Sequence, residues 1–434
     1  MAGTAQSGPL LIARKAANVI PPQGLTQQNR AEMSERIVII GAGQAGAQAV
    51  ASLRAEGFAG AITMVGDEPY LPYQRPPLSK AYLQGKFERE RLFLKPESFY
   101  ADSKVELILG VAAASIDRAK KVVTLTDGRI LPYDKLLLAT GTRVRPILVP
   151  NANLRGIHYL RSIADVDALR ETFQPGKKLA IVGGGYIGLE VAAVAVKHGL
   201  DVTVFEALDR LMQRAVSPRV SAFYEEVHRA AGVKIYFNTA IEKFEGEKTI
   251  TGVTAASRTW PADMALVGIG VVPNAELAHD AGLDVDNGIV VDNCARTKDP
   301  SIFAAGDCTW HPGREDVFLR LESVQNAIDQ AKHAAMAMVG KPTPYAEVPW
   351  FWSDQYDLKL QIAGLGRPGD QHVLRGDPAA RKFAIFHLRD GKVAAVEAIN
   401  AAPEYLVGRR LIAEGKPLDA ERLADLSIPM KNMA

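Results

Sequence analysis

Cysteine is scarce: the 434-residue chain has two, Cys294 and Cys308. Two are too few for a disulfide framework, and their spacing is neither a CxxC nor a metal-ligand pattern. That usage suits a reducing cytosol, so a cytoplasmic protein with no bound metal is expected. Long apolar runs are missing too. None approaches the ~18–20 residues that cross a bilayer, so no membrane association is expected. Neither sign of charge dominates, because 51 Lys and Arg against 49 Asp and Glu leave a net charge of +2. Nucleic acid is therefore disfavoured as a general partner. Acid is absent before Glu32, in a stretch with Pro21-Pro22 and a short apolar segment that precedes Arg14 and Lys15. That order is wrong for a secretory signal, and residues 1–34 read as a disordered tail, or as an upstream start with the natural one at Met33.

What is present is repeated glycine. Gly41-Ala-Gly43-Gln-Ala-Gly46 follows the apolar run Ile37–Ile40, and Gly183-Gly-Gly185-Tyr-Ile-Gly188 follows Leu179–Val182. An alanine-rich helical segment comes after each, then a second strand-like run ending in an acid. The acid is Asp67 in the first unit and Glu206 in the second. Glycines at these positions allow the tight turn, the close approach of a diphosphate and tight helix–strand packing. The helix N-terminus adds free N–H groups and a positive dipole. One such fingerprint is weak evidence; two in order imply two dinucleotides held at once, a flavin and a nicotinamide.

The length implies two or three domains. Helices are expected over Ala45–Glu56 and Ser323–Val339, and strands at Ala61–Val65, Val105–Leu109, Lys121–Leu125, Asp201–Phe205 and Met264–Val267. After Tyr345 the texture becomes strand-rich, opening with Trp350-Phe-Trp352 and closing with a short helix near Glu404–Glu414. The expected organisation is one dinucleotide domain split over 35–145 and 270–345, a second dinucleotide domain at 146–269, and a C-terminal module at 346–434. The fold class is α/β, with two Rossmann-like dinucleotide-binding domains and a C-terminal α+β domain.

Several stretches are more specific: Tyr73-Gln-Arg-Pro-Pro-Leu-Ser-Lys80, Ala139-Thr140-Gly141, Gly306-Asp307-Cys308, Leu321-Glu-Ser-Val-Gln-Asn326 and Pro349-Trp-Phe-Trp-Ser-Asp-Gln355. With the second fingerprint, these make the chain from about residue 35 onward resemble the bacterial FAD-dependent ferredoxin reductases of the putidaredoxin reductase type. That group lies in the glutathione-reductase-like pyridine nucleotide-disulfide oxidoreductase superfamily. The resemblance implies FAD contacts from Gly41, Gly43, Ala45 and Gly46 (diphosphate) and from Asp67 (adenosine ribose). Further contacts are implied from Arg75, Ala113, Ala139, Thr140, Gly141, Arg161 and Gly306. Asp307 would meet the ribityl chain, Val324 the pyrimidine edge, and Lys80 the flavin ring. NADH would meet Gly183, Gly185, Tyr186, Ile187, Gly188, Glu190, Glu206, Gly268 and Gly270. Glu206 decides for NADH over NADPH, since a carboxylate accepts from the ribose hydroxyl and repels a 2′-phosphate. Lys80, Glu190 and Trp352 are the implied catalytic residues.

Disulfide reductases of this superfamily carry a cysteine pair beside the flavin, and the stretch before Lys80 has none. Cys294 and Cys308 read as small buried residues. Flavin alone can turn a two-electron donor into single electrons, which suits a small, acidic 2Fe–2S ferredoxin that supplies a cytochrome P450 or a ring-hydroxylating oxygenase. A basic docking face is then expected, with Arg320, Arg409, Arg410 and Lys416 as candidates, on a monomer or weak homodimer. The alternatives are a rubredoxin reductase, an NADH oxidase or diaphorase, and a redox-signalling flavoprotein like the apoptosis-inducing-factor relatives.

Overall fold

The computed structural model describes residues 35–314 and 317–433. The expected tail, 1–34, lies outside the described residues. Strand β1 (Arg36–Ile40) is the centre of a five-stranded parallel sheet in the order Ile302–Ala304, Lys135–Leu138, β1, β2 (Ala61–Gly66), Val105–Leu109. Four of the five β1 residues are buried, as a parallel strand covered on both faces requires. Between β1 and β2 runs helix α1 (Gln44–Ala55), which packs along the C-terminal-half helix Val324–Met338. Their shared core is rich in alanine, with Ala45, Ala49, Ala327, Ala331, Ala334 and Ala335 all buried. Small side chains let the two helices lie close.

The second fingerprint builds the same unit again. β3 (Lys178–Val182) lies in a parallel sheet ordered Lys234–Tyr236, β4 (Asp201–Phe205), β3, Met264–Val267, Ile157–His158. Helix α2 (Tyr186–Lys197) follows β3, and α3 (Pro218–Ala230) follows β4. Val191, Ala192, Val194 and Ala195 of α2 are buried, because that helix is apolar nearly all round. Between the two parallel sheets the chain crosses twice, through Thr142–Val144 and Val271–Pro273, and these crossings pair antiparallel.

The strand-rich C-terminal part is a five-stranded antiparallel sheet opened by β5 (Trp350–Gln355), with helix α4 (Ala402–Glu414) packed on it. β5 is an edge strand and abuts both α2 and the Val324–Met338 helix. Period-two alternation then sorts its side chains. Phe351, Ser353 and Gln355 share one face, and Phe351 meets the Tyr186 ring at 4.6 Å. Trp350 and Trp352 share the other, 5.7 Å apart.

Candidate functional site

Both glycine turns have the geometry of a phosphate cradle. Gly41 has φ +118° and Gly183 has φ +103°, values open to glycine but costly for other residues. A Cβ on Gly46 would stand 2.1 Å from the Gly41 carbonyl oxygen, and one on Gly188 would stand 2.4 Å from that of Gly183. A Cβ on Gly43 or Gly185 would meet nothing within 4 Å. The outer two glycines of each motif thus serve chain packing, while the middle one leaves space over the helix start. Neither α1 nor α2 has a side-chain cap, whereas Ser162, Ser217 and Ser323 cap three other helices. First-turn N–H groups that no side chain satisfies are available to an anion. Both turns therefore fit a dinucleotide diphosphate.

The acids at the ends of β2 and β4 behave differently. Glu206 Oε2 accepts from Gly184 N–H (2.7 Å) and Oε1 from Leu208 N–H (2.8 Å), which ties the carboxylate to the second glycine turn. Arg210 is turned away, donating to the carbonyls of Val216 (2.8 Å) and Gln213 (2.9 Å). Asp67 is exposed. The next residue, Glu68, points inward instead, accepting from Tyr73 Oη (2.6 Å) and Arg75 Nη2 (2.7 Å). Sequence reasoning missed Glu68; its only signal is a second acid beside Asp67.

From Glu68 a run of charged side chains leads to Asp307. Arg75 Nη1 donates to the Arg161 carbonyl at 2.6 Å, Arg161 Nε donates to the Thr142 carbonyl at 3.0 Å, and Arg161 Nη2 stands 3.5 Å from Asp307. Burial pushes the Asp307 carboxyl above its ordinary range, with Arg161 opposing that shift. The Gly306 N–H just before it donates to Gln330 Oε1 (2.8 Å), so the Val324–Met338 helix holds this strand end. Val324 is the first residue of that helix. Ala139, Thr140 and Gly141 leave the strand Lys135–Leu138, and Thr140 and Asn274 exchange side-chain-to-carbonyl bonds at 2.6 and 2.9 Å. Ala113 opens a small antiparallel sheet. Gly268 ends the strand Met264–Val267, Gly270 is exposed, and Ile187 is exposed beside the second turn.

Lys80 and Glu190, 110 positions apart in the chain, meet at 2.6 Å. Glu190 is 4% exposed and its oxygens also accept from Ser79 Oγ (2.5 Å) and Ser353 Oγ (2.6 Å). Three donors satisfy a carboxylate that burial alone would disfavour. Trp352 is half-buried on the opposite face of β5 from Ser353.

One expectation is corrected here. Arg320 is not a free docking charge: its side chain is 11% exposed and paired with Glu322 at 2.5 Å. Arg410 and Lys416 are exposed but share Glu414, and Arg409 lies over the Trp350 ring at 5.7 Å. Cys308 is fully buried, and burial raises its thiol pKa; Cys294 is half-buried and also raised. Neither has thiolate character. Among the described residues no cluster of His, Cys, Asp and Glu could hold a metal, and no helix is long and apolar enough to cross a membrane.

Two sheets of Rossmann type, two cradles and an appended sheet define a two-dinucleotide oxidoreductase. The chain belongs to the pyridine nucleotide-disulphide oxidoreductase family, whose model matches residues 35–331, and residues 350–434 match a reductase C-terminal domain. It is 46% identical over 405 residues to a probable ferredoxin reductase, CtmF, of Castellaniella defragrans, covering 92% of this chain and 99% of that one. It is 43% identical over 406 residues to the ferredoxin–NAD(+) reductase component of an anthranilate 1,2-dioxygenase system from Burkholderia cepacia, with 92% and 99% covered. Its fold superposes with a TM-score of 0.89 on the reductase of a covalent putidaredoxin reductase–putidaredoxin complex, at 40% identity, with 92% and 98% covered.

Proposed function

We propose that the chain is an NADH-dependent FAD flavoprotein that passes electrons singly to a small 2Fe–2S ferredoxin serving an oxygenase of the cytochrome P450 or ring-hydroxylating kind. The observation that carries this reading is the pair of uncapped glycine turns with open space over each middle glycine, in a chain with no thiol pair beside them. Bound FAD supplies the conversion between a two-electron donor and one-electron acceptors.

In this reading the first cradle, Gly41 to Gly46, holds the FAD diphosphate and Asp67 its ribose. Arg75, Arg161 and Asp307 line the path beyond, with the backbone of Ala113, of Ala139 to Gly141 and of Gly306. Lys80 is aimed by Glu190, and would place positive charge where the reduced ring gains electrons. The N-terminus of the Val324–Met338 helix adds its dipole there. The second cradle, Gly183 to Gly188, holds NADH, flanked by Tyr186, Ile187, Gly268 and Gly270. Glu206 retains free lone pairs for a ribose hydroxyl, and Arg210 is withdrawn onto the carbonyls of Val216 and Gln213. Trp352 borders the exit side. We assign 35–145 with 270–345 to the flavin, 146–269 to NADH and 346–434 to the C-terminal domain.

An acidic acceptor, a monomer or weak homodimer, and a cytoplasmic setting belong to the same reading. Exposed Arg410 and Lys416 support the first, and two unpaired thiols the last. The test is rapid-mixing reduction of the purified protein by NADH and by NADPH, then mixing with a 2Fe–2S ferredoxin. Fast bleaching by NADH and fast passage to ferredoxin are expected. A colourless protein refutes the flavin, and a long-lived reduced state refutes the acceptor.

A further inference from the structure

The Glu190 carboxylate is the end of a longer buried chain that the proposed chemistry does not use. Ser353 Oγ, which binds it, stands 3.1 Å from Gln355 Nε2. Gln355 Oε1 stands 2.8 Å from His228 Nε2, and His228 Nδ1 stands 3.0 Å from Tyr356 Oη. Ser353 and His228 are 0% exposed and Gln355 is 1% exposed. One hydrogen assignment satisfies every member. The carboxylate can only accept, so Ser353 donates to it, and the Ser353 oxygen accepts from the Gln355 amide. The Gln355 carbonyl then accepts from His228 Nε2–H, and the bare Nδ1 accepts from Tyr356 O–H. Every donor points toward Glu190.

The members come from separate parts of the fold: Ser79 ends the turn Pro76–Ser79 and Lys80 follows it, Glu190 and His228 lie on α2 and α3, and Ser353 to Tyr356 belong to β5 and its hairpin. We propose that Ser353, Gln355 and His228 are positioning residues, whose one-way hydrogen-bond chain fixes the place and direction of the Glu190 carboxylate and thereby aims the Lys80 ammonium. This rests on the reading of Lys80 as the residue beside the flavin. Because an amide sits in its middle, the chain orients dipoles rather than conducting protons. Burial pushes the His228 pKa down to about 4, so the ring stays neutral as the assignment requires. The groups facing Glu190 are the Lys80 ammonium and the buried phenols Tyr186 and Tyr224, both raised above their ordinary value and neutral. Lys197 stands 5.8 Å from the Tyr356 ring at the outer end.

The test uses the full-length protein with isotope-labelled histidine, as wild type and as Ser353→Ala, Ser353→Thr and Gln355→Met. Ring-nitrogen NMR is recorded between about pH 5 and 8, the span in which an ordinary histidine titrates. The reduction potential of the bound flavin is followed over the same span without NADH or ferredoxin. In wild type, His228 should hold a single Nε2–H tautomer throughout, and Gln355→Met should lose that fixed signal. Ser353→Ala should displace the potential–pH profile from that of wild type as the Glu190–Lys80 pair loses its fixed geometry, and Ser353→Thr should restore the wild-type profile. A His228 that titrates normally in wild type, or a Ser353→Ala profile superimposable on wild type, overturns the proposal. A colourless preparation refutes the flavin reading separately, and the His228 signals then decide the chain on their own.

Discussion

Glu190→Leu leaves the Lys80 ammonium, 17% exposed, without its 2.6 Å partner and removes the acceptor from Ser79 and Ser353. Stranding one member of a buried pair costs ~3–5 kcal/mol. Lys80 can still donate to the Pro76 carbonyl at 3.3 Å, and hydroxyls rotate, so the lower end applies: about 3–4 kcal/mol. Lys80→Met in the Glu190→Leu background removes the stranded charge, leaving the double variant only ~1–2 kcal/mol below wild type. For a cooperative unit of roughly 400 residues, 1 kcal/mol shifts the melting temperature by about 1 °C. Scanning calorimetry of the cofactor-bound protein should then show Glu190→Leu about 3–4 °C below wild type and the double variant recovering about half of that. A double variant melting at the sum of the two single shifts refutes the reasoning, because independent sites add to within ~0.5 kcal/mol. So does a Glu190→Leu protein melting within about 1 °C of wild type.

Gly46→Ala places a Cβ 2.1 Å from the Gly41 carbonyl oxygen, so the first turn must open; loss of yellow colour and of soluble yield is expected on purification. Glu206→Ala should reduce kcat/KM for NADH about 10-fold or more, in line with loss of a charge-assisted hydrogen bond, and raise NADPH relative to NADH; unchanged preference in steady-state assays counts against its role. His228 takes up a proton near pH 6.5 when unfolded and resists down to about 4 when folded. Its contribution is therefore complete above pH 6.5 and is lost as pH falls toward 4, on the order of 3 kcal/mol in all. Melting temperatures of His228→Gln should fall less steeply than those of wild type between these limits. Replacing both cysteines (Cys294→Ser with Cys308→Ala) should leave electron transfer to ferredoxin intact in rapid mixing, since neither thiol is placed for redox work.

Local signals carried the two nucleotide units. The helix expected over Ala45–Glu56 is observed at Gln44–Ala55, and that expected over Ser323–Val339 at Val324–Met338. The reason is that glycine turn, apolar strand and alanine-rich helix are each specified within a few residues. The small antiparallel sheets were less legible. Only Val122–Leu125 of the sheet Ala113–Pro132 was anticipated, because short polar strands with one covered face leave little periodicity. Arg320 looked like any charged residue in a loop, and only packing shows it paired and enclosed.

The chain's own order of residues determined the two cradles, the strand–turn–helix–strand units that carry them, the Glu206 carboxylate at its turn and the want of a thiol pair, since each is written within a short stretch of sequence. Tertiary structure alone decided what surrounds Glu190. Ser353 is 163 positions from it, and His228 is 127 from Gln355. An edge strand of the C-terminal sheet laid against α2 is what brings those side chains within hydrogen-bond reach. No local pattern encodes that, because a buried polar group is satisfied by whichever partner the packing supplies.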